Sequence, residues 1–283
     1  MRFLSVQSSV AYGHVGNSAA TFPLQRLGHE VWPVLTVVFS NHTGYGAWRG
    51  PLLAPEDVRD VITGIEERGV LPTCDGVLSG YLGSPGICDV VVDAVARVKA
   101  ANPDATYTCD PVMGNATSGC FVDPAIPPVL RSQVVPAADI ITPNQFELGF
   151  LTDTSPDTLA STLESADAAR ALGPSTVLVT SFLPPDGPDD TIGMLAVTDD
   201  GAWTVRTPRL PMKANGSGDL TAALFTAHLR TTGSAVDALA RTASSVHAVL
   251  KETLDSGERE LRIVAAQDAI AAPACEFTVE QVR

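Results

Sequence analysis

The run Asn215-Gly216-Ser217-Gly218-Asp219-Leu220 places three small residues directly before a helical pattern, with Leu220, Ala223, Leu224 and Ala227 on one face. Gly216 and Gly218 permit a tight turn and close approach to backbone amides. The first amides of a helix have no partner within it, and the helix dipole there favours negative charge. Gly216–Asp219 therefore predicts a phosphate cradle. Asp219 is a poor choice for an anion site that only binds, because its carboxylate repels the anion. It suits a site where a hydroxyl must lose a proton as it attacks a phosphate. The competing reading is a helix cap, since aspartate is common in first turns, and the motif by itself weighs evenly between the two.

These residues need elements to carry them. Phe3–Gln7 predicts a strand, Ser8–Gly16 a polar loop, and Asn17–Leu27 a helix stopped by Gly28. Val31–Phe39 is a second apolar strand that runs into the donor-rich loop Ser40–Gly46. Pro55–Arg68 predicts an acidic amphipathic helix, and Gly76–Ser79 a buried strand ending at Gly80-Tyr81-Leu82-Gly83. Pro85–Ala100 is helical, with Val91, Val95 and Val98 inward. Ala105–Cys109 delivers Asp110, and Ala138–Ile141 delivers Thr142 through Glu147, where Pro143 suits a helix's first turn. Asn115–Asp123 has no period and reads as a mobile flap. Thr158–Leu172 is a helix, Thr176–Thr180 a strand and Pro184–Asp190 an acidic loop. Ile192–Thr198 and Trp203–Thr207 predict a hairpin through Asp199-Asp200-Gly201. The helix at Gly218 and another at Ala235–Leu254 follow.

Strands alternating with helices predict an α/β fold with a mainly parallel sheet covered on both faces, and a single domain over residues 1–283. Such sheets bind ligands beyond the carboxyl ends of their strands. Ser8, Asn41–Tyr45, Tyr81, Asp110–Gly114, Thr142–Glu147, Thr180–Ser181 and Gly216–Asp219 all follow strands. That shared edge favours the functional reading of Asp219.

The chain of 283 residues suits one large α/β domain or two small ones. Its 45% hydrophobic and 18% charged residues argue against disorder. A net charge of −14, from 18 basic and 32 acidic residues, speaks against nucleic acid or an anionic membrane as partner. A phosphorylated ligand then needs a locally built site. Cys74, Cys88, Cys109, Cys120 and Cys275 show no metal-finger spacing and read as reduced thiols of a cytosolic (cytoplasmic) protein. Met1–Gln7 reads as a first strand rather than a signal peptide. Val31–Phe39 is far short of a membrane span and contains Pro33.

With the loops placed, the chain resembles pyridoxal kinases of the ribokinase-like superfamily. The matching segments are Ser5-Val6-Gln7-Ser8 with Tyr12-Gly13-His14-Val15-Gly16-Asn17-Ser18-Ala19-Ala20, Phe39-Ser40-Asn41-His42-Thr43, and Leu78-Ser79-Gly80-Tyr81-Leu82-Gly83. Further on come Cys109-Asp110-Pro111-Val112-Met113-Gly114, Thr142-Pro143-Asn144-Gln145-Phe146-Glu147 and Gly216-Ser217-Gly218-Asp219. They stand in the family's order across nearly the whole chain. Gly-x-Gly-Asp marks only the superfamily; the first two segments point to pyridoxal. The resemblance implies a three-layer α/β/α fold, ATP and Mg²⁺ as co-substrates, and a homodimer. It implies phosphorylation of the 5′-hydroxymethyl group of pyridoxal to pyridoxal 5′-phosphate, with pyridoxine and pyridoxamine as further substrates.

The resemblance makes Asp219 the general base and the Gly216, Ser217 and Gly218 amides an anion hole. Ser217 stands where many relatives carry threonine, and it keeps the hydroxyl. Asp110 precedes Pro111, so its backbone is extended and its carboxylate can project from the sheet edge; the alternative is a turn-forming aspartate. The family places it near metal and triphosphate. Asn144 and Glu147 lie three apart on one helix face and are implied to reach the metal-water shell and nucleotide phosphates. Glu147 could equally serve only the helix start. Carboxylates suit Mg²⁺, which keeps several waters. Asn115 stands where some relatives have an acidic residue.

Ser8, Thr43 and Tyr81 match substrate-contacting positions, with hydroxyls for the edges of a pyridine ring and an aromatic face to stack on it. His42 could hold the ring hydroxyl or bond the backbone. Gly13-His14-Val15-Gly16 lacks GxGxxG spacing and reads as substrate-side or structural. By resemblance Thr207, Pro208, Arg209 and Leu210 line the adenine side, and Thr180 and Ser181 the phosphates. Thr180 stands where some bacterial relatives have lysine. With Asp110 and Thr142 it could hold K⁺ and restore the missing charge; otherwise it simply ends a strand. His29, His228 and His247 receive no role. The rival readings are a hydroxymethylpyrimidine kinase of thiamine synthesis and a catalytically silent pyridoxal-binding protein. The intact Gly-Ser-Gly-Asp disfavours the second.

Overall fold

The computed structural model describes residues 1–183 and 190–283, so the loop expected at 184–190 lies outside the described residues except for Asp190. In chain order, β1 (Arg2–Val10), α1 (Asn17–Arg26), β2 (Glu30–Phe39), α2 (Pro55–Glu66), β3 (Gly76–Ser79), α3 (Pro85–Ala101) and β4 (Thr106–Cys109) come first. A small hairpin, β5 (Gly114–Asn115) and β6 (Gly119–Cys120), precedes α4 (Ile126–Val129), a π-helical turn and α5 (Val135–Ala137). Next are β7 (Ile140–Ile141), α6 (Gln145–Thr152), α7 (Leu159–Arg170), β8 (Thr176–Phe182), β9 (Thr191–Thr198) and β10 (Gly201–Pro208). The chain closes with α8 (Ser217–Thr232), α9 (Ala235–Ser256), α10 (Gln267–Ala271) and β11 (Val279–Gln281).

Nine strands form one sheet in the order β2-β1-β3-β4-β7-β8-β9-β10-β11. The first six in that order pair in parallel. The last three pair antiparallel, and at β9–β10 the two intervening residues allow only a direct return. The sheet is thus mixed, with its parallel part in the majority.

Side chains alternate between the two faces, as strand geometry requires. Leu4, Val6, Val77, Val177 and Val179 meet α2, α3 and α7 through Val58, Ile62, Val91, Val95 and Ala166. Their neighbours Phe3, Leu78 and Leu178 point the other way, toward α1, α8 and α9. Helices therefore cover both faces in a three-layer α/β/α arrangement. Among the described residues no helix is long and apolar enough to cross a membrane.

Several expectations need correction. β1 runs to Val10, so Ser8 belongs to a strand rather than a loop. After a register shift at Gln7–Ser9, Ser9 and Val10 pair with Val38 and Phe39, and this ladder overrides the polar composition. The segment read as a flap without structure contains the β5–β6 hairpin, whose turn is closed by Asn115 Oδ1 accepting from the Thr117 and Ser118 amides. Pro143 stands outside α6, because Asn144 caps the helix and Gln145 begins it.

The strand order reverses at β1, with β2 on one side and β3 on the other. Such a reversal opens a crevice at the carboxyl ends of the strands.

Candidate active site

The start of α8 fixes the centre of the site. Gly216 caps the helix with φ 84°, and a Cβ there would overlap the His14 carbonyl oxygen. Glycine is needed on both counts. A Cβ on Gly218 would stand 3.9 Å from Asp110 Oδ2, so the amide turn and this carboxylate share one space. Asp219 lies in the first turn, where the nearby Gly16 amide and its own amide favour the charged carboxylate. Burial nevertheless pushes its pKa up to about 6, nearer the range useful for a base at neutral pH. Gly16 has φ 54°, and a Cβ on it would overlap Ser8. Ser8, Gly16 and Asp219 thus form one continuous contact from the end of β1 to the head of α8.

Two further acids face Asp219. Asp110 is buried, and its pKa is pushed well above the usual range by that burial and then by Glu147 and Asp219. The Thr142 hydroxyl beside it pulls the value partly back, yet Thr142 Oγ1 is buried with no well-formed hydrogen bond of its own. Burial raises Glu147 to about 7 against the pull of three backbone amides. Glu147 Oε1 accepts from Met113 (2.9 Å) and Gly114 (3.3 Å), and Oε2 from Asn144 (3.0 Å). Asn144 accepts from the Glu147 amide and donates to the Gly114 carbonyl at 2.8 Å. The pair therefore caps α6 and holds the base of the β5–β6 hairpin, a role beyond what a first-turn position announces.

Among the described residues, no ion pair includes any of the three acids. Nor do three or more His, Cys, Asp or Glu side chains there converge to ligate a metal directly.

β8 carries Thr180 and Ser181 into the same space. Its pairing with β9 shifts between Val179 and Phe182, and Ser181 adopts φ 52°. A non-glycine residue in this region stores strain that clusters at functional sites. The Thr180 amide donates to the Pro143 carbonyl at 2.9 Å, which sets Thr180 beside the segment after β7.

Thr180 and Ser181 also line an open cleft with Thr207, Ser217 and Gly218. Its other walls are largely apolar, with Ile192, Val205 and Val246 among them. Pro208, Arg209 and Leu210 are not part of that lining; the Arg209 amide donates to the Asp190 carbonyl instead. His247, given no role from sequence, does line the cleft, with its ring edge-on to Phe277 at 5.1 Å. A lone histidine in a long helix carries no pattern that could have revealed this.

On the opposite side, Ser8 is only 7% exposed, Tyr81 is half-buried and Thr43 is exposed at the start of a 3₁₀ turn. His42 Nδ1 accepts from the Gly44 amide at 3.0 Å, so its backbone-bonding alternative is the one realised, and burial lowers its pKa. Tyr81 is held through its carbonyl, which accepts from Thr36 Oγ1 at 2.7 Å. The Gly16 amide on Asp219 was hidden in a segment legible only as glycine-rich. The arrangement offers a base between a polar-rimmed crevice and an apolar cleft, beside amides shaped for an anion.

Known proteins resemble this chain over most or all of its length. A family model described as phosphomethylpyrimidine kinase matches residues 72–263. The chain is 70% identical over 282 residues to a pyridoxal kinase of Leifsonia xyli subsp. xyli, covering 100% of both chains. It is 60% identical over 282 residues to a pyridoxal kinase of Corynebacterium diphtheriae, again covering 100% of each. Among solved structures, pyridoxal kinase from Leishmania donovani in complex with ADP and pyridoxine superposes with a TM-score of 0.93 at 30% identity. That match covers 100% of this chain and 99% of the other.

Proposed function

The chain belongs to the family described by the phosphomethylpyrimidine kinase model and, within it, to the pyridoxal kinases, and from that premise we propose how its residues divide the reaction. It phosphorylates pyridoxal with ATP, giving pyridoxal 5′-phosphate. Asp219 accepts the proton of the 5′-hydroxymethyl group, and the Gly216, Ser217 and Gly218 amides hold the phosphoryl oxygens as charge develops on them. One observation carries this assignment. The Asp219 carboxylate stands at the head of α8, joined to Ser8 through Gly16 and to the apolar cleft through Ser217 and Gly218. Pyridoxal enters on the Ser8, Thr43 and Tyr81 side, with His42 at its rim, and ATP on the Thr180, Ser181 and Thr207 side. Pyridoxine and pyridoxamine are further substrates.

The donor set suits Mg²⁺. Among the described residues, Asp110 is a buried carboxylate without a cationic partner, and Thr142 beside it has a buried hydroxyl with no well-formed hydrogen bond. Mg²⁺ typically takes one or two carboxylates and completes its shell with water and phosphate oxygens, which does not require a cage of three acids. Asp110 would hold it directly and Glu147 through water, and the ion would cancel charge on the triphosphate. The Thr180 oxygens, with Asp110 and Thr142, would hold K⁺. Residues 1–283 act as one kinase domain, as a homodimer in the cytoplasm, without nucleic acid or membrane as partner.

The family model's description keeps a pyrimidine alcohol in view as the rival substrate. ATP consumption measured with pyridoxal and with hydroxymethylpyrimidine decides between them. Turnover of pyridoxal at the higher kcat/KM is expected; preference for the pyrimidine would reverse the assignment.

A further inference from the structure

Between α9 and α10, Arg259 and Glu260 reach both loops that carry the vitamin side. Glu260 Oε1 accepts from the Tyr45 hydroxyl at 2.7 Å, and Oε2 accepts from the His14 amide at 3.1 Å. Arg259 Nη2 donates to the Gly44 carbonyl at 2.8 Å, and its guanidinium carbon stands 3.7 Å from the centre of the Tyr45 ring. Gly13 leaves room for the carboxylate: it has φ 94°, and a Cβ there would overlap Glu260. Leu261 follows at once, buried and packed near Gly216, where the His14 carbonyl also approaches. One short segment thus touches the turn bearing Thr43, the loop leading to Gly16, and the cap of α8.

The Thr43–Tyr45 turn has no buried residue, and its internal bonds from the Gly44, Tyr45 and Gly46 amides reach only His42 and Thr43. Such bonds fix the shape of the turn and leave its distance from Asp219 unset. The Arg259–Glu260 contacts span about two hundred residues of chain and, with the Tyr12 ring edge-on to Tyr45 at 6.2 Å, supply that distance.

We propose that Arg259 and Glu260 are positioning residues which clamp the Thr43–Tyr45 turn against the His14–Gly16 loop, and so hold pyridoxal in register with Asp219. The proposal rests on the assignment of Thr43 and Ser8 to the vitamin side. Displacement of a reacting group by about 1 Å can cost on the order of a hundredfold in rate, so a clamp remote from the chemistry can matter. A purely structural staple would instead affect the fold and both substrates alike.

The test is steady-state kinetics on the full chain, varying pyridoxal and ATP separately, for wild type, Tyr45→Phe, Glu260→Ala and the double variant. Wild-type turnover of pyridoxal comes first and tests the activity independently of the clamp. We expect Glu260→Ala to lower kcat/KM for pyridoxal about tenfold or more while the KM for ATP stays within about twofold. Tyr45→Phe removes one hydroxyl from a half-exposed ring, so it reports even if Glu260→Ala folds poorly. The double variant should be no worse than Glu260→Ala, because the two changes delete one shared bond. Restoration of most activity by Glu260→Gln, which keeps an acceptor, would support the clamp. Active wild type with both single variants unchanged, equal increases in both KM values, or fully additive losses would each overturn it.

Discussion

Asp219→Asn preserves the shape of the side chain at the head of α8 and removes its proton acceptor. Turnover should fall by about 10²–10⁴, while ATP affinity holds or improves because a negative charge leaves the phosphate site. Near-normal kcat in this variant would return Asp219 to the role of a helix cap. Ser8→Ala and Thr43→Ala each remove a hydroxyl from the crevice and should weaken the use of pyridoxal by about 1–2 kcal/mol, with ATP binding unchanged. Loss of ATP affinity in both would show that the two sides of the site are reversed. At this scale the local geometry was legible wherever residue type decides it, as in the glycine-capped turn that opens α8. It was not legible where a partner decides it. Nothing in the spacing of Glu147 tells that its oxygens already serve Met113, Gly114 and Asn144. Nothing in Gly16 tells that its amide meets Asp219.

The bulge in β8 and the packing of α8 make separate demands on their elements. If the Thr180–Ser181 bulge presents oxygens to a monovalent cation, K⁺ should stimulate turnover several-fold over Na⁺ at fixed ionic strength. Thr180→Val should blunt that response, whereas equal rates in the two salts with Mg²⁺ saturating would leave Thr180 structural. In α8, His228 is 5% exposed and its pKa is lowered to about 4, by burial first and then by Arg241 and His29. Its folded value lies below the unfolded one of about 6.5. The stability it contributes is therefore complete above pH 6.5 and is lost as pH falls toward 4. Urea unfolding at pH 7 and pH 5 should show a pH penalty about 2 kcal/mol larger in wild type than in His228→Leu. The comparison with the variant matters, because the raised carboxylates of the site act in the opposite direction. An equal pH dependence in both proteins would show that His228 is accommodated as a cation. The long helices were readable to within about a turn from apolar spacing and glycine stops. β11 and the segment 126–137 were not, since three polar-flanked residues and a proline-rich run carry no usable period.

For the whole molecule, a charge of −14 sets a background field that opposes the arrival of nucleotide. Adding an inert salt such as tetramethylammonium chloride at constant K⁺ and Mg²⁺ should raise kcat/KM for ATP a few-fold and change that for neutral pyridoxine little. A fall in kcat/KM for ATP would mean that local positive potential, not the global charge, governs approach. Alternation of strands and helices was enough to expect a layered fold. The antiparallel edge was legible at β9–β10, where Asp199-Asp200-Gly201 signals a hairpin, and invisible at β11.

The reversal of strand order at β1 has a consequence for how such an enzyme can change. Ser8, Thr43 and Tyr81 come from β1, β2 and β3, on and around the reversal. Asp110, Thr142, Thr180 and the Gly216–Asp219 turn come from the strands and helix beyond it. The family model begins at residue 72 and takes in all of the second group, but of the first only Tyr81. In the proposed division of roles, selectivity and phosphoryl chemistry would occupy different stretches of chain that meet at a seam. New alcohols can be tried on one side of that seam by altering two loops, while the apparatus that activates ATP on the other side is inherited intact.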